Sequence, residues 1–407
     1  MEQVLKRVMP GTGDEISILG FGCMRFKRNI GAIDMEKAER QIRLAIGAGV
    51  NYFDTAYMYP GSEKALGAIL AKTDDQGRKL RDLVFVANKL PQLIVKTSED
   101  MDRMFETSMN RLGMEYMDYY LVHNLSSIEG WERLKNLGIV EFLERKKSEG
   151  RIGHIGFSWH GNLQNFRRVI DDYGWEFCQI QYNYLDENFQ AGTGGLEYAA
   201  SKGVGVVVME PLRGGQIVGK MPGEAKRILE NHKDYSGKKR SPAEWALRWV
   251  WNHPEVTCVL SGMNEESQVE ENTRVASDAM PGALSESDLE MIGQVKNVFQ
   301  NTIRINCTGC AYCMPCPYGI DIPFCFSALN SNAMFGGADS KIMYNFLLRQ
   351  TDSKPSGKAS ACRKCGVCEK KCPQNLPIMK TLEETAKKME GPFYSAAVGI
   401  ASKFMKG

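Results

Sequence analysis

Eight short β-rich runs alternate with amphipathic helical stretches through the first two thirds of this chain, and that alternation restricts its fold most. The runs expected to be strands are 16–23, 51–56, 83–90, 118–123, 154–159, 177–183, 205–211 and 257–262; among the helices between them are 35–48, 98–112, 131–148 and 242–251. Strand following helix following strand implies a parallel sheet, because each crossover returns the chain to the same sheet edge. Eight such units within roughly 250 residues favour a closed (β/α)8 TIM barrel over an open sheet. An open dinucleotide-binding sheet would place G-x-G-x-x-G after its first strand. Here Gly20-Phe21-Gly22-Cys23-Met24-Arg25 lacks the third glycine. The expected class is therefore α/β, with a barrel over 1–298.

A change of composition then marks a second region. Residues 299–380 are rich in Cys, Pro and Gly, and hold eight of the chain's 12 cysteines in two tight runs. The first is Cys307-x-x-Cys310-x-x-Cys313-x-x-Cys316-Pro317, the second Cys362-x-x-Cys365-x-x-Cys368-x-x-x-Cys372-Pro373. The second has the spacing of a bacterial two-cluster ferredoxin run; the first is one residue short before its last cysteine. Three closely spaced thiolates wrap one cube, and the fourth cysteine turns away to the other. On that logic Cys307, Cys310, Cys313 and Cys372 hold one 4Fe-4S cluster, and Cys362, Cys365, Cys368 and Cys316 hold the second. Zinc explains this poorly, since it takes four ligands from paired C-x-x-C units. Cys23, Cys178, Cys258 and Cys325 read as ordinary buried residues. The stretch between the motifs reads as helical (324–330 and 342–348), as does a tail over 381–407. This region resembles the α-helical ferredoxin modules built into larger flavin and iron–sulfur enzymes.

Charge excludes some partners. The chain carries 51 Lys and Arg against 49 Asp and Glu, a net of +2, which supports neither nucleic acid nor an anionic membrane as a main partner. Neither an N-terminal apolar core nor an apolar run of membrane-spanning length is found. A cytoplasmic setting is expected, one that also disfavours disulfides.

Polar residues gather at the C-terminal strand ends, where barrel active sites lie. Asp54 follows strand two, Lys89 strand three and His123 strand four, with Tyr59 on the loop after Asp54. Singly, each has a plain structural explanation: a helix cap, a surface lysine, a core histidine. Together on successive strands they read as a site.

The barrel resembles the aldo/keto reductase superfamily. The likeness rests on Asp54-Thr55-Ala56-Tyr57-Met58-Tyr59-x-x-Ser62-Glu63-x-x-Leu66-Gly67, on Lys89 in Ala87-Asn88-Lys89 and on His123 in Leu121-Val122-His123. With the cysteine runs added, the chain resembles the branch of that superfamily with a C-terminal two-cluster domain. The resemblance implies an oxygen-sensitive oxidoreductase acting on a small carbonyl or alcohol, with the catalytic residues Asp54, Tyr59, Lys89 and His123. Tyr59 would donate the proton, with Lys89 drawing its pKa down, Asp54 holding Lys89, and His123 bonding the carbonyl oxygen. Ser158 and Gln179 would hold a nicotinamide amide, and Arg213-Gly214-Gly215 would cradle phosphate. Ser261, Glu271 and Asn272 keep the family's last-helix signature. Departures are Trp159 for the usual Asn, Met209 before Pro211 and Leu212 in place of a stacking aromatic, and Gln268 for the arginine that grips a 2′-phosphate. The barrel cofactor is thus expected to be NAD(P)H or a flavin such as FMN, because a flavin joins two-electron chemistry to one-electron clusters. The clusters would exchange electrons with a soluble ferredoxin-like partner.

Overall fold

The computed structural model describes residues 3–234, 236–350 and 357–391. Its largest element is a closed parallel barrel of eight strands: β1 (Leu19–Gly22), β2 (Tyr52–Asp54), β3 (Phe85–Leu90), β4 (Met117–Leu125), β5 (Ile152–Trp159), β6 (Phe177–Gln181), β7 (Gly205–Met209) and β8 (Val256–Ser261). The ring closes where β8 pairs with β1, Val259 opposite Leu19. Below it, a hairpin of Lys6–Val8 and Glu15–Ser17 supplies Met9 and Ile16 to the interior. There they meet Tyr52, Ala87, Tyr119, Leu121, Phe177, Val207, Cys258 and Leu260, so the barrel is filled with side chains at that end.

Local chemistry sets the helices. Asp34 caps Met35–Gly47 by accepting the Lys37 amide at 3.1 Å. Ser241 caps Pro242–Trp251 through the Glu244 amide at 3.0 Å, with proline at the helix start, where its missing N–H costs nothing.

Two elements differ from the sequence reading. The run 16–23 is not one strand; it divides at Ile18 into the hairpin strand and β1. The stretch 131–148 is two helices, Ile128–Asn136 and Ile139–Ser148, broken at Gly138, whose φ of 83° only glycine adopts without strain.

Contacts divide the chain into two compact units, one up to Val218 plus His232–Glu290, the other Gly219–Asn231 plus the chain from Met291. The sequence boundaries at 298 and 380 each fall inside a helix, Glu286–Gln300 and Ile378–Met389, because a change in composition need not coincide with the end of an element. The second unit is α-helical, with Ile322–Phe335, Asp339–Gln350 and Ile378–Met389 as its main helices. Its core joins Ile305, Ile322, Phe326, Tyr344, Ile378 and Leu382. The expected helical tail is described to residue 391; the rest of 381–407 lies outside the described residues. Among the described residues no helix is long and apolar enough to cross a membrane.

Candidate active site

Side chains alternate along a strand, so residues two apart share a face. Tyr52, Ala87, Leu121, Phe177 and Val207 point into the barrel interior. The same parity sends Asp54, Lys89, His123, Gln179 and Met209 inward one step nearer the C-terminal ends, and the register puts Ser158 beside Gln179. The expected residues of the six strands β2 to β7 therefore share one mouth for geometric reasons.

At its centre the Lys89 ammonium donates to Asp54 Oδ1 at 2.5 Å and to the Thr55 carbonyl at 2.8 Å. Lys89 is 1% exposed and Asp54 3%. Burial pushes the carboxyl up and the ammonium down, and each opposes the other's shift. Lys89 Nζ lies 5.1 Å from the centre of the Tyr59 ring, and that ring stands edge-on to His123 with centroids 6.0 Å apart. The four expected catalytic residues are thus brought together.

One electrostatic expectation is corrected. Tyr59 is not drawn down. Burial raises its phenol well above the ordinary value, Asp54 and then Glu210 add to the rise, and Arg25 opposes it. Lys89 is already paired with Asp54, which leaves little field for the phenol. His123 moves far below its usual value, through burial first, then Lys89 and His160. The site therefore holds a protonated phenol beside a neutral imidazole.

The cofactor residues divide. Gln179 Oε1 is buried with no hydrogen-bond partner, a vacant acceptor suited to an amide N–H. Ser158 Oγ accepts the Asn124 amide at 2.7 Å and retains its hydroxyl proton for donation. Trp159 is turned into the core, edge-on to Phe157 and Phe166, with its indole N–H on the Gly161 carbonyl at 2.7 Å. Pro211 is buried and Leu212 half-buried, leading into Arg213, Gly214 and Gly215, all at positive φ. Two amides of that expected cradle are already donated, Arg213 N to Glu210 O and Gly215 N to Leu212 O. The Arg213 guanidinium pairs with Asp186 at 3.2 Å. Near the last helix, Gln268 Oε1 accepts the Asn264 amide at 2.9 Å, Glu271 accepts the Ser241 hydroxyl at 2.5 Å, and Asn272 donates to Ser261 Oγ at 3.1 Å. These four brace the protein itself. Gln179 and Ser158 offer an acceptor and a donor that fit the amide of a nicotinamide.

Sequence reasoning missed Arg25, His160 and Glu210 at the mouth. None stands at a position the strand parity selects, and Glu210 is placed by a backbone φ of 55° that no motif announces. It also missed Glu63 as a brace. Buried Glu63 accepts Asn88 at 2.8 Å, Ser108 at 2.5 Å and Arg111 at 2.9 Å, tying the Tyr59 loop to β3 and to Ser98–Leu112.

In the second unit, Cys307, Cys310, Cys313 and Cys372 line one small hollow, walled by Ile322, Phe326 and Ile378. Cys316 does not line it. That grouping sets the last cysteine of the second motif beside the first three of the first, against an apolar wall. Among the described residues no group of three or more His, Cys, Asp or Glu side chains stands close enough together to hold a metal ion. Burial pushes the Cys307 and Cys368 thiols up and Cys313 up to about 12, so thiolates here call for bound cations. The motifs share a backbone. The second residue after each leading cysteine, Gly309 and Lys364, has φ of 70° and 54°; the fourth, Ala311 and Gly366, has 62° and 74°. The Gly309 and Lys364 amides approach Cys307 and Cys362 Sγ at 3.4 and 3.5 Å. Left-handed backbone at Ala311 and Lys364 costs roughly 1–2 kcal/mol each, strain that a loop wrapped on a fixed object tolerates. Cys23, Cys178, Cys258 and Cys325 are buried, as expected.

Comparison with known proteins agrees with this geometry. The aldo/keto reductase family matches residues 18–296, and a 4Fe-4S dicluster domain matches residues 306–379. The chain is similar to L-galactose dehydrogenase of Arabidopsis thaliana, 25% identical over 315 residues, 74% of this chain and 97% of that protein. It is similar to the uncharacterized oxidoreductase YrpG of Bacillus subtilis, 24% identical over 328 residues, 71% of this chain and 94% of that one. In fold it is similar to the solved aldo-keto reductase AKR11C1 from Bacillus halodurans in its holo form, with a TM-score of 0.59 at 24% identity, 72% of this chain and 96% of the other. The chain belongs to the aldo/keto reductase family, as an oxidoreductase of that type with a C-terminal 4Fe-4S dicluster domain.

Proposed function

We propose that the barrel reduces or oxidises a small carbonyl or alcohol, and that the two clusters relay electrons between that site and a soluble ferredoxin-like carrier. The observation that carries the reading is the buried Lys89–Asp54 pair with Tyr59 and His123 beside it. A carbonyl oxygen gaining negative charge needs a proton donor and a fixed polar neighbour. Tyr59 keeps its proton across the working pH range and releases it when the developing alkoxide, a stronger base, forms. His123, neutral, donates or accepts one hydrogen bond and orients the oxygen without competing for the proton. Asp54 holds Lys89 in place, with its Nζ 5.1 Å from the centre of the Tyr59 ring. The nicotinamide of NAD(P)H, or a flavin such as FMN, supplies the hydride when bound. Gln179 and Ser158 would hold a nicotinamide amide, and the engaged Gln268 favours NADH over NADPH.

Tyr59→Phe tests the reading. Turnover falls by about 10²–10⁴-fold while iron content and fold persist. Unchanged turnover would remove Tyr59 from the chemistry.

A second reading has its own support. Cys368 belongs to the second unit's core, with Cys307, Cys313, Cys316, Cys362 and Cys372 packed against it, so clusters there would hold the fold whether or not they carry electrons. In that case the protein is a conventional NAD(P)H-dependent reductase. The discriminating measurement is whether cluster absorbance changes during substrate turnover in anaerobic protein.

A further inference from the structure

The two cysteine motifs share a backbone and differ in charge. Between Cys307 and Pro317 no residue is charged, and the exposed side chains there include Tyr312, 66% exposed. The second motif carries Arg363, Lys364, Lys370 and Lys371, all exposed, as is Cys365 of the same motif. Its one acid, Glu369, turns back to accept the Met379 amide at 2.9 Å. Lys364 pairs with Glu383 at 2.9 Å, whereas the side chains of Arg363, Lys370 and Lys371 make no hydrogen bond or ion pair with the described residues. A chain whose net charge is only +2 thus concentrates unpaired cations in one short motif with an exposed cysteine.

We propose that this basic collar is the docking site of a small acidic one-electron carrier protein of the ferredoxin type. The inference rests on the electron-relay reading above. Unpaired surface cations attract an acidic partner over about one Debye length, roughly 10 Å at 0.1 M salt, and orient its approach. Cys365, exposed in the same motif, would bring the partner's redox group close to a cluster held by Cys362, Cys365, Cys368 and Cys316. The reduced carrier gives up one electron and leaves oxidised; that site gains the electron, and no bond or proton moves. Arg363, Lys370 and Lys371 act on encounter and orientation.

The test uses the full-length holoprotein under anaerobic conditions and an oxidised, acidic two-cluster ferredoxin as probe, so that binding is read without turnover. Affinity falls by about tenfold or more between about 50 mM and about 500 mM salt, as it does for encounter dominated by charge. Arg363→Glu, Lys370→Glu and Lys371→Glu combined lower it by about tenfold or more at low salt, and Lys226→Glu elsewhere on the surface leaves it unchanged. Iron content and reduction by dithionite, which needs no protein partner, confirm that the variant still folds and loads. Absent binding at low salt, or equal binding by the triple variant, overturns the docking site. Failure of the relay itself is a separate result: with dithionite as donor, substrate leaves the cluster spectrum unchanged.

Discussion

A lysine sealed from water is held by its counter-charge. Lys89→Met leaves Asp54 buried with its nearest cation gone, and Asp54 Oδ2 is already without a hydrogen bond. Breaking a buried pair from one side costs about 3–5 kcal/mol. Urea unfolding followed by barrel tryptophan fluorescence is expected to show that loss, with a much smaller one for Tyr59→Phe. Equal stability of Lys89→Met and the parent would mean that the pair is not charged. The histidines make stability depend on pH. Burial lowers His160 from 6.5 to about 4 against an opposing Gln190 hydrogen bond, and His123 shifts the same way. The unfolded chain therefore takes up protons that the folded one refuses. Stability is complete above about 6.5 and is lost as pH falls toward 4. His160→Gln flattens that window in unfolding midpoints measured at successive pH values; an unchanged slope would assign it to other groups. Asp54, Lys89 and His123 were legible in the sequence because a period of two ties each to an apolar neighbour on the same face. His160, Glu210 and Arg25 were not, because loop geometry rather than strand parity brings them to the mouth.

Elements were legible where periodicity was uninterrupted and misread where two elements shared one pattern. The apolar positions from Trp131 to Phe142 run on in phase, so only Gly138 betrays the break between two helices, and an isolated glycine is a weak signal in a helical pattern. The division at Ile18 has the same origin: Ile16 faces the interior from the hairpin, and the next barrel strand continues its apolar character. Gly67 is a glycine of a different kind. In Ser62–Leu70, a methyl group there would meet the Leu112 carbonyl oxygen at 2.1 Å, so this helix crosses the end of Ser98–Leu112 at backbone contact. Gly67→Ala is expected to destabilise the barrel by about 1–3 kcal/mol and to disturb the Tyr59 loop packed beside it. Gly174→Ala, where nothing lies within 4 Å of the added carbon, stays within about 0.5 kcal/mol. Matching unfolding midpoints for the two variants would show that the helices can separate freely.

At the scale of the whole molecule, the chain joins two units whose legibility had different causes. The barrel followed from eight repeats of one pattern, each weak and all consistent. The second unit followed from ligand spacing and two short helical patterns; its helices bring residues distant in sequence around one hollow. Crossed ligation, expected from the cysteine spacing, has the sharpest consequence. Cys372 lies well beyond Cys307, Cys310 and Cys313 in sequence yet lines their cavity, and Gln374 Nε2 donates to Thr308 Oγ1 at 2.9 Å beside it, pinning the end of one motif to the start of the other. If each motif kept its own fourth cysteine, Cys372→Ser would damage the same cluster as Cys365→Ser. With crossed ligands, Cys372→Ser instead reproduces the loss caused by Cys310→Ser, and Cys316→Ser that caused by Cys365→Ser. Paramagnetic resonance of the reduced protein, supported by iron counts, distinguishes these pairings by which signal disappears. Grouping by motif rather than across motifs would reject the assignment, and with it the view that the two halves of this unit are held together through their metal ligands.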